Sequence, residues 1–304
     1  MKRKWKIIFL SLGLVFVVGM GVFLPIFLVR RYKYRIPNVF TNPDDWKLVF
    51  QDDFLGTTLN ATNWSPNYHS GFPHDGHTHN HRGYMTEDNI NVSNGLLIIH
   101  AENETHPDAP PAEYAYNQWL AYNYTTGAIT SFEKMQFKYG YIEANMKMPK
   151  SKGFWPAFWT LPGEGGWPPE IDIHEFLSTY EKRISGAYHY GSDWQNLHSF
   201  GIFYNTGEDL SDGFHRYGLE WAPDHLSWYF DGKQMCRYFS KTDAIAELGP
   251  QYILINMAIG GWEDDPDTTT KWPATYETDY VKIWQLLPEF AYEGQEISFN
   301  YTME

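Results

Sequence analysis

Three carboxylates fall within the six residues Glu170-Ile171-Asp172-Ile173-His174-Glu175. Isoleucine at alternate positions predicts a β-strand, with Glu170 and Asp172 on one face and Ile171 and Ile173 facing a core. Glu175 breaks that period. A regular strand would turn it inward with the isoleucines, and burying a lone carboxylate costs several kcal/mol. A β-bulge near His174 returns Glu175 to the acidic face, and bulges of this kind re-aim side chains beside active sites. The Cα atoms of Glu170 and Glu175 then lie roughly 13–16 Å apart, and their side chains lean toward each other over the shorter Asp172. A carboxyl separation of about 5–5.5 Å suits retaining cleavage of a glycosidic bond, and about 6.5–9.5 Å inverting cleavage. In the retaining case one carboxylate attacks the anomeric carbon while the other protonates the leaving oxygen. Asp172 between them raises the acid's pKa by like-charge repulsion.

The strand is preceded by Phe154-Trp155-Pro156-Ala157-Phe158-Trp159 and followed by Tyr188-His189-Tyr190. Glu-x-Asp-x-x-Glu after Trp-Pro-Ala-Phe-Trp resembles glycoside hydrolase family 16, in its bulged, laminarinase-like branch. The likeness runs in family order through residues 46–54, 91–98, 139–144, 214–221, 228–232, 256–261 and 279–284. The resemblance implies Glu170 as nucleophile, Asp172 as its assistant and Glu175 as acid/base. It implies sugar contacts from Asn80, Trp155, Trp159, His189, Asn256 and Trp262, since flat rings offer an apolar face to sugar C–H groups. It implies no cofactor for catalysis, but a structural calcium held by Asp53, the Gly95 carbonyl and Asp279, oxygen ligands of the kind Ca²⁺ takes. Some positions depart from the family pattern. Asn145 stands in place of arginine, Pro169 in place of glycine, His81 in place of glutamate, and Asp53 in place of a longer glutamate.

The elements that must position these groups read as all-β. Short Val/Ile/Phe/Tyr/Trp runs alternate with Gly, Asn, Asp and Pro clusters, and Asp231-Gly232 is a hairpin signal. The expected fold is a β-jelly-roll sandwich of two antiparallel sheets with a concave substrate cleft, preceded by one N-terminal transmembrane helix. Residues 46–288 form the catalytic domain and 289–304 a C-terminal tail. One helical turn is expected at residues 244–248.

Charge narrows the partner. The chain carries a net charge of −14, yet residues 1–35 hold eight Lys/Arg and no acid, leaving 15 basic against 37 acidic residues beyond them. An acidic body excludes nucleic acid, which needs clustered Lys/Arg, and favours a neutral polysaccharide. The single Cys236 excludes an intrachain disulfide, and a monomer is the expected state. A basic tail at residues 1–6 precedes an apolar run at 7–29, and a basic juxtamembrane segment and linker follow at 30–45. About 20 apolar residues span a bilayer, so the run predicts an uncleaved signal-anchor in the lipid bilayer. Six Asn-x-Ser/Thr sequons, at Asn60, Asn63, Asn91, Asn103, Asn123 and Asn300, favour an extracellular or lumenal domain.

Between Tyr68 and Gly83, His69, His74, His77, His79 and His81 accompany Asp75, a set that reads as a sugar-facing or solvated loop or as a transition-metal site. The expected activity is retaining endo-hydrolysis of a β-1,3- or mixed-linkage glucan. Transglycosylation, hydrolysis of marine galactans and glucan binding without turnover stay open on the sequence.

Overall fold

Short strands with one apolar face stabilise a domain only when two sheets cover each other. The computed structural model describes residues 42–66, 80–115, 118–240 and 245–299. Of the unit formed by residues 1–45, only a 3-10 turn at Pro43–Asp45 with its preceding residue falls in that range.

From Trp46 onward the elements are strands and short turns. In chain order they begin β1 (Trp46–Asp52), β2 (Gly83–Met85), β3 (Ile90–Ser93), β4 (Leu96–Ala101), β5 (Glu113–Ala115), β6 (Gln118–Leu120) and β7 (Tyr124–Thr126). Next come β8 (Ala128–Thr130), β9 (Met135–Lys138), β10 (Gly140–Lys147), β11 (Phe154–Pro162), β12 (Glu170–Phe176), β13 (Arg183–Tyr190) and β14 (His198–Asn205). The last are β15 (His215–Ala222), β16 (His225–Phe230), β17 (Lys233–Phe239), β18 (Gln251–Ile259), β19 (Ala274–Leu286) and β20 (Glu296–Phe299).

Two eight-stranded antiparallel sheets dominate. The first runs β17-β16-β15-β10-β19-β4-β3, with β1 also paired to β19. The second runs β14-β13-β12-β11-β18-β9-β20, with β8 also paired to β18. Their apolar faces share one buried cluster, with Ile142, Leu219, Trp228 and Ile283 from the first sheet and Phe158, Ile171, Ile173 and Ile255 from the second. Each such side chain contributes about 1.5–3 kcal/mol on burial. Strand β18 is buried along its whole length, whereas the edge strand β14 alternates exposed and half-buried residues. That contrast follows from position: a central strand has neighbours on both sides and a layer on each face.

Asp231 and Gly232 turn with φ of 48° and 77°, and Phe230 pairs with Lys233 across them, the left-handed turn that matches strand twist. Ile245 begins a single hydrogen-bonded turn, Leu248 N–H donating to the Ile245 carbonyl at 3.3 Å. The domain does not stop at residue 288. β20 pairs with β9, Phe299 opposite Met135, so Glu296–Phe299 of the expected tail is a strand of the second sheet. The apolar run 7–29 lies outside the described residues, and among those described no helix is long and apolar enough to cross a membrane. Of the sequons, Asn60, Asn91, Asn103 and Asn123 are exposed. Asn63 is buried, its Nδ2 donating to Asp52 Oδ2 at 2.8 Å, so the folded chain offers no glycan site there. Asn300 lies outside the described residues.

Candidate active site

β12 carries the three carboxylates, and its pairing contains the bulge. Against β11, His174 faces Phe158 and Asp172 faces Trp159, leaving Ile173 as the extra residue. Against β13, Asp172 faces Ala187 and Glu175 faces Ser185, so Gly186 alone spans Ile173 and His174. The extra residue restores Glu175 to the face of Glu170 and Asp172 and sends both Ile173 and His174 into the core. His174 is fully buried, its ring centroid 4.4 Å from that of Tyr217 and its Nε2 2.9 Å from the Tyr276 hydroxyl. Burial holds its pKa down at about 3, so it sits neutral in the core.

The bulge is braced from the other sheet. Trp228 Nε1 donates to the Asp172 carbonyl at 2.8 Å. Gly186 makes room for that indole, since a Cβ there would lie 2.7 Å from Trp228 Nε1 and 3.0 Å from the Asp172 carbonyl oxygen. Any side chain at position 186 would force the indole or the strand to shift.

Each outer carboxylate has an indole donor. Trp167 Nε1 donates to Glu170 Oε2 at 2.8 Å, and Trp155 Nε1 to Glu175 Oε1 at 3.0 Å. Burial pushes the pKa of Glu170 well above the usual carboxylate range, with the charges of Asp172 and Glu175 adding to it and the Trp167 bond opposing it. Burial and then Asp172 raise Glu175 likewise, against the Trp155 bond. The neighbouring carboxylate charges thus add to burial in opposing ionisation of both Glu170 and Glu175. His189 Nε2 lies 3.4 Å from Asp172 Oδ2 and 3.8 Å from Glu170 Oε1, while its Nδ1 meets Ser199 Oγ at 2.7 Å. Bonding at Nδ1 fixes the ring with Nε2 toward the acids.

Strand pairing lays this face out in rows. Asn256, Ala157, Glu175, Ser185 and Phe203 are successive partners across β18, β11, β12, β13 and β14. The next row is Leu254, Trp159, Asp172, Ala187 and Gly201, and the third contains Glu170, His189 and Ser199. Trp159 and Asn256 are buried and joined, the indole donating to Asn256 Oδ1 at 2.8 Å. Trp155 meets the exposed Trp262 edge-on at 5.7 Å between ring centroids. Asn80 sits at a positive φ of 61°, and its Oδ1 is buried with no partner among the described residues. The next residue, His81, is buried and bridges to Gly260 just after β18, and Arg82 pairs with Asp265 at 3.3 Å. The other loop histidines, with Asp75, lie outside the described residues, so the metal reading of that loop is neither joined nor separated by this geometry.

Residues 77–282 match the family described as glycosyl hydrolases family 16. The chain belongs to that family. It is 32% identical over 197 residues to an endo-1,3-1,4-β-glycanase, EglC, of Rhizobium meliloti, covering 65% of this chain and 40% of that protein. It is 30% identical over 271 residues to a glucan endo-1,3-β-glucosidase of Cryptopygus antarcticus, covering 79% and 92% respectively. Among solved structures, the laminarinase catalytic domain of Thermotoga maritima aligns with a TM-score of 0.66 at 31% identity, over 80% of this chain and 99% of that one. The chain spans only about 40% of the length of the first curated relatives it matches.

Two family departures have local explanations. Asn145 does not pair with Glu143; its Nδ2 donates to Asp279 Oδ2 at 2.9 Å, and Glu143 instead accepts from the Tyr141 and Tyr280 hydroxyls at 2.8 and 2.7 Å. At the expected calcium position the donors are oxygens, which suit Ca²⁺. Each carboxylate is nevertheless engaged by nitrogen: Asp53 by Lys282 Nζ at 3.2 Å and by Gln51 Nε2, Asp279 by Asn145. Lys282 would have to leave Asp53 before a cation could share it. Gly95 turns with φ of 75°, in a tight turn between β3 and β4.

Sequence reasoning named Trp155 and His189 as sugar contacts but did not see what they do to the acids. It did not assign Trp167, Ser199, Gly186, Trp228 or Phe203 to the site. Trp167 lies three residues before Glu170 and was within reach of local reading. The others are joined to the site only through strand pairing or across the core.

Proposed function

We propose that this chain is a retaining, endo-acting β-glucan hydrolase working on β-1,3- or mixed β-1,3/1,4-linked glucan. The observation that carries the reading is the bulge that sets Glu170, Asp172 and Glu175 on one face, with an indole donor on each outer acid. Glu170 attacks the anomeric carbon as a carboxylate while Glu175 gives its proton to the glycosidic oxygen, and the bond between sugar and leaving oxygen breaks. The covalent glycosyl-enzyme removes the charge of Glu170, so the pKa of Glu175 falls. Glu175 takes a proton from water as that water bonds to the anomeric carbon, and the ester bond to Glu170 breaks, freeing its carboxylate. Asp172 steers Glu170, and His189, fixed by Ser199, holds the far side of Asp172. The names of the relatives support glucan as the polymer.

Reducing-end release from laminarin, lichenan, agarose, carrageenan and xyloglucan tests the reading. Release from laminarin or lichenan, with the product first formed in retained configuration, is the expected result. Tight binding with no release from any polymer would leave a glucan-binding protein, and an inverted first product would remove the double displacement.

Two further elements belong to this proposal. The apolar run 7–29 anchors the domain to a membrane outside the cytosol; recovery of the protein in the medium with a new N-terminus near residue 36 would refute it. A structural calcium at Asp53, Gly95 and Asp279 competes with Lys282, and a melting temperature indifferent to a chelator would remove it.

A further inference from the structure

Phe203 is 64% exposed on β14, the edge strand of the second sheet. Isolated exposed apolar residues are ordinary and need no account. Three observations set this one apart. Phe203 lies in the row of Glu175, two strands away through Ser185, or roughly 10 Å across the sheet. The floor beside it is made of small residues, Ser185, Ala187 and Gly201, and a Cβ built at Gly201 meets nothing within 4 Å. Finally, an aromatic path joins Phe203 to the acid/base. The Trp155 indole holds Glu175, Trp262 lies 5.7 Å from Trp155, and Phe203 lies 6.5 Å from Trp262.

The ring is also braced. The Arg183 guanidinium lies 5.2 Å from the centre of the Phe203 ring and 3.6 Å from that of Tyr180, so a cation stacked on one aromatic borders the other. A supported, exposed ring beside a low floor that continues from the reactive carboxylates fits a flat, amphipathic ligand whose apolar C–H face seeks an aromatic surface and whose hydroxyls stay in water.

We infer that Phe203, with Trp262, forms a platform for a pyranose ring of the glucan lying over β13 and β14, beyond the two sugars that flank the cleaved bond. The inference rests on the glucan-hydrolase reading above and deepens it. Occupancy of this platform gives the enzyme a preference for long chains, because a short oligosaccharide spans the carboxylates without reaching β14.

The test is kcat/KM on β-linked gluco-oligosaccharides, taken as the ratio of a hexasaccharide to a trisaccharide. In Phe203→Ala that ratio falls about fivefold to tenfold relative to wild type. Phe203→Leu, which keeps apolar bulk without a flat face, shows a similar fall, and Phe203→Trp restores the ratio. A ratio unchanged in both Phe203→Ala and Phe203→Leu overturns the platform, including the case where a folding defect lowers both substrates equally. If the wild type cleaves neither oligosaccharide and no glucan polymer, the glucan-hydrolase reading itself fails and takes the platform with it; cleavage with an unchanged ratio removes the platform alone.

Discussion

Both sheets carry a pair of glutamates on their outer faces, and the two pairs are treated in opposite ways. On the first sheet, Glu143 accepts from two tyrosine hydroxyls, and Glu220 accepts from Tyr229 at 2.8 Å and Arg237 at 3.5 Å. On the second, Glu170 and Glu175 each accept from one indole and face Asp172 and one another. Buried carboxylates met by hydroxyls and a guanidinium hold neighbouring strands together. Those surrounded by like charge are disfavoured in the ionised form, at a cost in stability, which suits the catalytic roles proposed for them. Greater depth does not mark the site, for Glu143 and Glu220 are 3% and 1% exposed whereas Glu170 and Glu175 are half-buried. What differs is the company each carboxylate keeps.

The comparison breaks if the two pairs respond alike to amide substitution. Glu170→Gln should lower kcat on glucan at least about 10³-fold, since an amide cannot attack the anomeric carbon. Glu220→Gln should leave kcat near wild type and lower stability by about 1–3 kcal/mol, through weakened bonds to Tyr229 and Arg237. Steady-state kinetics and denaturant unfolding read the two effects separately.

Gly186→Ala probes how the reactive pair is aimed. The added methyl collides with Trp228 Nε1 and the Asp172 carbonyl, so the bulge must shift. A displacement of about 1 Å at the reacting groups costs on the order of 10²-fold in rate. The expected outcome is a fall in kcat of about 10- to 100-fold, while circular dichroism still reports a folded β protein. A wild-type kcat would mean that the bulge does not aim Glu175.

The smallest effect carries a sign. Glu175→Gln removes a charge that burial and Asp172 disfavour, so the variant should be more stable than wild type at neutral pH. A carboxyl whose folded pKa is raised stabilises the fold fully only below its ordinary value of 4.5, and that contribution is lost as pH rises through the raised value. The variant's advantage should therefore be absent below about pH 4.5 and grow above it, to about 1 kcal/mol or roughly 2–4 °C in melting temperature. Melting curves across pH would show it. An advantage that grew toward acid would reverse the assignment.

By itself the sequence determined the strand, the need for a bulge beside His174 and the three acids that share a face. It did so because a period of two is rigid, and an inward Glu175 is too costly to leave in place. It also announced the Asp231-Gly232 turn, where local chemistry decides the backbone. Only the tertiary structure decided which groups hold the acids. Ser199 reaches His189 from the neighbouring strand, Trp228 reaches Asp172 through the core, and Gly186 matters because of an indole 42 residues further along the chain. β20 was legible as little more than a tail, since Glu296–Phe299 becomes a strand only by pairing with β9. Side-chain alternation can be counted along one segment, but a partner across a sheet or a core is set by register and packing, which no single segment contains.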